Sequence, residues 1–187
     1  MAKLSVFNHV TLDGYFTDPK GDMSFAHRKE PDPEWDDFVA SNVSGEGTLV
    51  FGRITYEMMA SFWPTPMAAQ SMPLVAKRMN SAPKLVFSRT LDQASWSNTR
   101  LVATDPAAEI RKRKKESRDD MVILGSGSIV SQLSQERLID HYHVVVNPVV
   151  LGRGRTMFDG VSGPLPLKLV ASRRFSNGNV LNQYDLK

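Results

Sequence analysis

The chain has 187 residues, of which 41% are hydrophobic and 23% are charged, a balance typical of one globular domain and not of a disordered chain. Its formal net charge is +3 and it contains no cysteine, which excludes a disulfide framework, a thiolate zinc site and a cysteine nucleophile. The longest apolar run, residues 121–124, is far shorter than the roughly 20 residues of a membrane span. We therefore expect a single domain over 1–187 in a soluble, unexported, cytoplasmic protein.

Apolar runs bounded by glycine, proline or polar residues predict strands, and apolar residues at helical spacing predict helices. In chain order the predicted elements are a strand over 4–10, a polar loop over 18–33, a helix over 34–42, a strand over 48–51, helices over 54–62 and 68–79, strands over 84–87 and 100–102, a helix that begins at Asp105-Pro106, a strand over 121–124, a helix over 128–134 and a strand over 140–147.

The C-terminal part of the chain differs from this alternation. Residues 167–175 and 180–186 flank Asn177-Gly178, a dipeptide that predicts a β-hairpin. The alternating strands and helices predict an α/β fold, in which a mostly parallel central sheet carries helices on both faces. The hairpin adds antiparallel strands at the C-terminus.

Three polar clusters follow predicted strands. They are Gly52-Arg53 with Thr55, Ser88-Arg89-Thr90, and Gly125-Ser126-Gly127-Ser128. Ligands of open α/β sheets bind outside the carboxyl ends of the strands. The three clusters therefore mark a candidate binding site.

Residues 125–128 join a buried strand to a helix, so small side chains there let a ligand approach free amide groups and the positive end of the helix. This arrangement suits a phosphate; the alternative is a tight turn that merely lets helix and strand pack. Arg53 and Arg89 offer two guanidinium groups that can grip phosphate oxygens. The alternative for each is an ion pair with a surface carboxylate.

The sequence has no G-x-S-x-G, Walker A or H-E-x-x-H pattern, and so no evident nucleophile machinery. His141 and His143 alternate on one predicted strand, but isolated strand histidines are typically structural, and we predict no metal site. His9 and His27 have no identifiable partner. A protein that lacks such groups yet binds phosphates can leave the difficult step to a cofactor, and hydride transfer fits this pattern.

A basic segment lies between Arg111 and Arg118, where six basic residues face one acid, Glu116. It contains no aromatic residue, whereas nucleic-acid sites usually interleave aromatics for stacking. We therefore expect a solvated helix face and no nucleic-acid partner. A polyanion site is the alternative.

Five segments together resemble the dihydrofolate reductase-like family, in particular the branch of the C-terminal reductase domain of bifunctional riboflavin-biosynthesis deaminase/reductase proteins. They are Thr11-Leu12-Asp13-Gly14-Tyr15, residues 49–57 (LVFGRITYE), residues 84–91 (KLVFSRTL), residues 122–128 (VILGSGS) and residues 144–158 with Pro148-Val149-Val150-Leu151-Gly152. The resemblance spans nearly the whole chain. It implies the dihydrofolate reductase-like three-layer fold and NADPH as cofactor.

The resemblance also implies roles for individual residues. Gly52, Arg53 and Thr55 match positions at the cofactor phosphates, and Ser88 with Arg89 matches the loop that reads the adenosine 2′-phosphate. The pyrophosphate turn corresponds to Gly125, Ser126, Gly127, Ser128 and Ile129. Relatives often carry two glycines joined by a cis peptide bond in this turn, and Ser126 replaces the second one.

On the substrate side, folate reductases place a catalytic acid on the helix that precedes the Gly-Arg strand, where Asp36 is the candidate. Helical spacing points Trp35 and Phe38 inward and gives Asp36 no clear inward position, so we do not expect a folate enzyme. Asp13, at the end of the first strand, is a candidate catalytic residue in contact with the substrate; the alternative is a turn former with Gly14.

These expectations combine into an NADPH-dependent reductase that transfers hydride to a small planar heterocycle, such as a pterin or a pyrimidine of folate- or riboflavin-related chemistry. The alternative is a catalytically silent nucleotide-sensing or regulatory module of the same fold. Relatives are often dimers, and residues 141–151 are a candidate contact between the subunits of a homodimer.

Overall fold

The computed structural model describes residues 1–27, 32–42 and 46–187. Within them the strands are β1 (Leu4–Thr11), β2 (Thr48–Gly52), β3 (Lys84–Phe87), β4 (Thr99–Val102), β5 (Met121–Leu124), β6 (His141–Asn147), β7 (Leu167–Arg174) and β8 (Val180–Leu186). The helices are α1 (Pro33–Asn42), α2 (Arg53–Phe62), α3 (Pro66–Ser71), α4 (Pro73–Ser81), α5 (Pro106–Glu116) and α6 (Gly127–Gln135). A 3₁₀ turn spans Ser24–Ala26 in the predicted loop over 18–33, of which residues 28–31 lie outside the described residues.

All eight strands form one sheet in the order β4-β3-β2-β5-β1-β6-β8-β7. The six strands from β4 to β6 are parallel, β8 is antiparallel to β6, and β7 is antiparallel to β8. Every residue of β2 and β3 is buried, as expected of parallel strands that are covered on both faces. The predicted α/β fold with a C-terminal antiparallel hairpin is confirmed.

The two helical layers follow from the direction in which the chain crosses the sheet. From β1 to β4 it moves towards one edge and forms α1–α4; from β4 to β6 it moves back and forms α5 and α6. Because crossovers between parallel strands are right-handed, opposite directions place the helices on opposite faces. Accordingly, Ile110 of α5 and Leu133 of α6 share one core cluster, whereas Tyr56 of α2 and Met79 of α4 share another.

This topology creates a crevice between β2 and β5, which are neighbours in the sheet. The chain leaves β2 into α2 on one face and leaves β5 into α6 on the other face. Adjacent strands that feed helices on opposite faces leave an opening at their carboxyl ends, where ligands of such folds bind. The candidate residues after β2, β3 and β5 therefore lie at the ends of three adjacent strands.

The prediction of one helix over 68–79 is wrong, because this part of the chain forms α3 and α4 separately. Met72 separates them with φ −141° and ψ 65°, and Pro73 opens α4. The proline ring disfavours helical geometry at the residue before it. A new helix can begin at Pro73 because the first helical position needs no amide hydrogen.

The strand β6 lies between β1 and β8 and has both edges paired. Subunit contacts through residues 141–151 would therefore use side chains or the following loop, and the homodimer stays a prediction. At the sheet edge, β7 is almost entirely exposed. Among the described residues, no helix combines the length and apolar character that a bilayer crossing requires.

Candidate functional site

The turns that follow β2 and β5 are hydrogen-bonded to each other. The amide of Gly52 donates to Oγ of Ser126 at 2.7 Å, and the amide of Ser126 donates to Oγ1 of Thr55 at 3.0 Å. All three groups are buried. The structure thus brings together three residues that the sequence placed in the cofactor site.

The backbone of the β5–α6 turn adopts two consecutive left-handed residues, Gly125 with φ 66° and Ser126 with φ 58°. A Cβ at Gly125 would lie 2.8 Å from Cγ2 of Thr55, so this position requires glycine for space as well as for conformation. The described residues contain no cis peptide bond. The bond between Gly125 and Ser126 is therefore trans, unlike the cis bond that relatives often carry in this turn.

Two helices begin at this crevice without a side-chain cap. Gly52 is the N-cap of α2 and Ser126 is the N-cap of α6, and neither helix has a capping hydrogen bond from the side chain of its N-cap residue, since Gly52 has none and Ser126 makes no such bond. The first amides of a helix have no intrahelical partner, and the helix dipole adds partial positive charge there. Two such ends at neighbouring strands favour an anionic ligand such as a pyrophosphate.

Asn8, which the sequence patterns do not single out, anchors this turn from β1. Its Oδ1 accepts from the amide of Gly125 at 2.7 Å, and its Nδ2 donates to the carbonyl of Gly125 at 3.2 Å. The side chain is only 2% exposed. A polar residue within an apolar strand was the available signal, because a buried amide needs partners.

The remaining residues of the turn have different environments. Gly127 lies against the ring of Phe16, since a Cβ there would be 3.3 Å from Cδ1 of that ring. Ile129 is 5% exposed and belongs to the core, so it supports the turn from below. Ser128 is exposed and lines a cleft of about 510 Å³, which Ala107 of α5 lines as well.

The two candidate arginines differ in their partners. Nη1 of Arg53 lies 2.9 Å from Oε2 of Glu57 one helical turn further on, which is the alternative considered from the sequence. Arg89 is exposed and makes no ion pair or hydrogen bond through its side chain within the described ranges. Oγ of Ser88 accepts from the amides of Thr90 and Leu91 and so holds the loop that carries Arg89.

The carboxylate of Asp13 is engaged in the turn after β1. It accepts hydrogen bonds from the hydroxyl of Thr11 at 2.6 Å and from the amides of Leu151 and Gly152 at 3.2 and 2.7 Å. The Thr11 hydrogen bond, supported by these amides, holds the pKa of Asp13 below its ordinary value. A role of Asp13 towards a substrate stays a prediction, since its oxygens are already used to join two loops.

Asp36 is exposed on α1, whereas its neighbour Trp35 is buried. Trp35 packs with Phe175 and Leu181, so it belongs to the core on the α1 side of the sheet. Helical spacing thus predicts the orientation of α1. The structure does not bring Asp36 to the turn at Ser126 by any contact within the described residues.

His9 does have partners, although the sequence identified none. Its ring contacts the rings of Phe7 and Trp35 edge to face, with centroids 5.8 and 5.7 Å away, and its Nδ1 faces the side-chain amide of Asn147. Burial, with a smaller contribution from the charge of His27, lowers the pKa of His9 to about 4, although the hydrogen bond with Asn147 opposes the shift. The imidazole is therefore neutral at pH 7.

Acidic partners neutralise much of the basic segment on α5. Arg111 pairs with Glu136, Arg113 pairs with Glu109 at 2.7 Å, and Lys114 pairs with Asp140 at 2.6 Å. Three of the six basic residues of this segment are thus paired, and the solvated helix face stays a prediction.

Comparison with known proteins relates the chain to a family. The model of the RibD C-terminal domain matches residues 2–181. The uncharacterized protein YyaP of Bacillus subtilis (strain 168) is 29% identical over 172 residues, which are 91% of this chain and 88% of that protein.

Solved structures share the fold. A putative riboflavin biosynthesis protein from Shewanella sp. PV-4 gives a TM-score of 0.78 at 24% identity, covering 100% of this chain and 99% of that chain. Dihydrofolate reductase from Enterococcus faecalis, complexed with NADP(H) and RAB-propyl, gives a TM-score of 0.65 at 16% identity, covering 99% and 96%. The dihydrofolate reductase-like fold is thus confirmed, and because the family match covers nearly every residue, the chain belongs to the RibD C-terminal domain family.

Proposed function

We propose that the protein is an NADPH-dependent reductase that transfers hydride to a small planar heterocycle of the pterin or pyrimidine class. The observation that carries this proposal is the hydrogen-bonded junction of the β2 and β5 turns, where two uncapped helix N-termini meet at the crevice of the sheet. A phosphorylated dinucleotide is the ligand class that this arrangement suits.

The residues present fit the pyrophosphate of such a cofactor. A Cβ at Gly125 would lie 2.8 Å from Thr55 and one at Gly127 would lie 3.3 Å from the Phe16 ring, so both positions favour glycine. The amides of Gly125 and Ser126 already donate to Asn8 and Thr55, and those of Gly127 and Ser128 in the first turn of α6 are the ones that a phosphate would use. The turn cannot easily collapse, because Asn8 and Ser126 fix it by buried hydrogen bonds. A preformed site of this kind loses little conformational entropy when the ligand binds.

Arg89 supports the choice of NADPH over NADH. It is exposed at the end of β3, and its guanidinium has no ion-pair partner in the part of the chain that the structure describes. A free guanidinium can bind a phosphate through two charge-assisted hydrogen bonds. The adenosine 2′-phosphate is the group by which the two cofactors differ, so Arg89 would favour NADPH.

The nicotinamide, when bound, would supply the hydride, and the protein's task is binding and orientation. The amides of Gly127 and Ser128 would hold the phosphates, whereas Gly52, Thr55, Gly125, Ser126 and Ile129 would fix the turn that presents them. Ser88 would keep the Arg89 loop in place. The cleft beside Ser128 would accommodate the adenosine end, because it opens at the first turn of α6.

A second candidate is a nucleotide-sensing module without catalysis. Two observations favour it: Asp36 is exposed, and the carboxylate of Asp13 already accepts three hydrogen bonds. Neither carboxyl group is thereby poised to donate a proton to a bound heterocycle. In this alternative the cofactor binds but is not consumed.

Steady-state NADPH oxidation separates the two candidates. The purified protein is mixed with NADPH and a panel of oxidised pterins and aminopyrimidines, and the loss of NADPH absorbance is followed. We expect turnover with at least one of these compounds and slower turnover with NADH. NADPH binding with no consumption by any compound would favour the sensing module, and absence of NADPH binding would remove both.

A further inference from the structure

The basic segment of α5 borders a small cavity at the amino ends of the strands. The cavity has a volume of about 250 Å³, and its wall includes Lys114 and Lys115 from the last turn of α5. Lys3, just before β1, and Asp140, just before β6, complete its charged part. Because β1 and β6 are parallel, this cavity and the crevice between β2 and β5 lie at opposite ends of the strands.

The inner wall of the cavity is mostly apolar. Ala2 and Leu138 contribute to it; Ala2 is buried, and Leu138 packs against the main core cluster. The methylene groups of lysine side chains extend such a wall while their ammonium groups stay in water. The volume is slightly below the roughly 300–1,000 Å³ of sites for drug-sized ligands. The cavity therefore suits a ligand with a small apolar body, such as one ring.

Positive charge is in excess around this wall. Among the described residues, one carboxylate and four cations line the cavity, namely Asp140 with Lys3, Arg111, Lys114 and Lys115. Nζ of Lys3 lies 3.2 Å from Oδ1 of Asp140 and Nζ of Lys114 lies 2.6 Å from Oδ2, so two ammonium groups share one carboxylate. The net charge of these side chains is +3, which equals the formal net charge of the whole chain.

Lys115 and Lys3 keep donors that no protein group uses. The side chain of Lys115 is exposed and makes no ion pair or hydrogen bond with any described residue. The side chain of Lys3 is 57% exposed and has Asp140 as its partner. Lys114 differs, because it also donates to the carbonyl of Leu138 at 2.8 Å. An ammonium group has three hydrogens, so Lys115 and Lys3 can both donate to an anion at the rim.

We infer that this cavity, the α5 pocket, binds a small organic phosphate monoester. The apolar body of the ligand contacts Ala2 and Leu138, and its phosphate accepts hydrogen bonds from Lys3 and Lys115 at the rim. A phosphate monoester carries a charge of about −1.5 to −2 at pH 7 and three acceptor oxygens, which matches two free ammonium groups. The inference is independent of the proposed function, because the cofactor would bind at the other end of the strands.

The shape and lining of the α5 pocket favour a small ligand over a nucleic acid. No aromatic side chain of the described residues lines the pocket, whereas proteins that bind single strands stack bases on aromatic rings. A concave site also encloses a single phosphate group and does not follow an extended backbone. A polyanion is therefore an outcome that the experiments below distinguish.

NMR titrations of the full chain with three probes test the two parts of the ligand. The probes are phenyl phosphate, inorganic phosphate and benzyl alcohol, which carry both parts, the anion alone and the apolar body alone. We expect the backbone amides of Lys115 and Leu138 to shift with phenyl phosphate, at an affinity at least about fivefold higher than with either other probe. Unmoved amides, or inorganic phosphate that binds as tightly as phenyl phosphate, would overturn the inference.

The variant Lys115→Gln removes one free ammonium group of the pocket. We expect it to weaken phenyl phosphate by about fivefold, the value of one exposed charge pair. Lys112→Gln is the matched control, because Lys112 is an exposed lysine of the same helix that does not line the pocket, and it should bind phenyl phosphate as the wild type does. Equal weakening by the two variants would indicate a diffuse charge effect and contradict the pocket.

A short DNA duplex separates a small ligand from a polyanion. We expect the duplex not to displace phenyl phosphate at physiological salt, as judged from the amide shifts of Lys115 and Leu138. Displacement by the duplex, with an affinity that falls steeply as salt is raised, would identify an extended polyanion surface and refute the inference.

Discussion

The side chain of Asn8 makes two hydrogen bonds with the backbone of Gly125: it accepts from the amide and donates to the carbonyl. The two residues lie 117 positions apart in the sequence; Asn8 is on β1, and Gly125 directly follows the adjacent strand β5. A single buried amide group thus satisfies both polar groups of a glycine whose φ is 66°. This contact makes the β5–α6 turn a fixed part of the sheet, and the cofactor proposal depends on that rigidity.

Replacement of Asn8 by leucine should loosen this turn. The variant leaves the amide and carbonyl of Gly125 without partners, which should lower the free energy of unfolding by about 2 kcal/mol. NADPH affinity should fall as well, because the amides of the turn lose their fixed direction. Urea denaturation and calorimetric titration measure the two effects. Asn182→Leu on β8, where a half-buried asparagine accepts only from Ser172, is the control and should leave NADPH binding unchanged.

Alanine at Gly125 should be more costly than alanine at Gly152. Both glycines have positive φ, 66° and 75°, but a Cβ at Gly152 meets nothing within 4 Å whereas one at Gly125 would lie 2.8 Å from Thr55. We expect Gly152→Ala to cost about 1 kcal/mol for conformation alone and Gly125→Ala to cost at least about 1 kcal/mol more. Adding Thr55→Ser to Gly125→Ala should restore part of the difference; equal costs at the two glycines would contradict the crowding.

Substitutions of Ser126 separate its hydroxyl from its backbone conformation. Alanine and glycine both remove the acceptor of the Gly52 amide, but only glycine adopts φ 58° without strain. We therefore expect Ser126→Gly to be more stable than Ser126→Ala by about 0.5–1 kcal/mol in denaturant unfolding. The reverse order would show that Ser126 does not hold a left-handed backbone in solution.

Lys84 should make stability depend on pH in the alkaline range. The residue is 2% exposed and its Nζ donates to the carbonyls of Asn80, Ala82 and Ser97. Burial, with a contribution from the charge of Arg78, lowers the pKa of Lys84 from 10.5 to about 8. Between these values the unfolded chain binds more protons than the folded one, so stability rises with pH.

From pH 8 to pH 10.5, the free energy of unfolding of the wild type should rise by about 1–3 kcal/mol relative to that of Lys84→Met. Below pH 8 the cost of burying the charge is fully present, and the difference between the two proteins should be constant. Urea unfolding of both proteins at several pH values measures this difference in stability. Lys77→Met, which removes an exposed lysine of the neighbouring α4, should leave the pH dependence of the wild type unchanged.

The sequence predicts most of the fold because its signals are local. The apolar run Met121–Leu124 ends in Gly125 and forms a strand as expected, and Asn177-Gly178 closes the predicted hairpin. The helix over 68–79 was wrong because apolar spacing continued across Pro73, whose effect on Met72 is a backbone property. Apolar periodicity indicates which face of a helix is buried, but it does not indicate whether one helix or two carry that face.

The candidate site is predictable only in part, for a similar reason. Gly52, Thr55 and Ser126 lie at strand ends, where topology brings them together. Asn8 contacts Gly125 and His9 contacts Asn147, and each pair is distant in the sequence. One amino-acid sequence does not indicate such pairs, because they form only when the strands are arranged in the sheet.

Calorimetric titration of the wild type and Arg89→Ala with NADPH and NADH measures whether the protein binds a phosphorylated dinucleotide and whether Arg89 selects it. If the ends of β2, β3 and β5 bind a phosphorylated dinucleotide, the wild type prefers NADPH, and Arg89→Ala weakens NADPH by about tenfold or more while leaving NADH unchanged. Arg100→Ala, which removes an exposed arginine from β4, should bind both cofactors as the wild type does. A wild type that binds neither cofactor, or an Arg89→Ala variant with unchanged preference, would contradict the account.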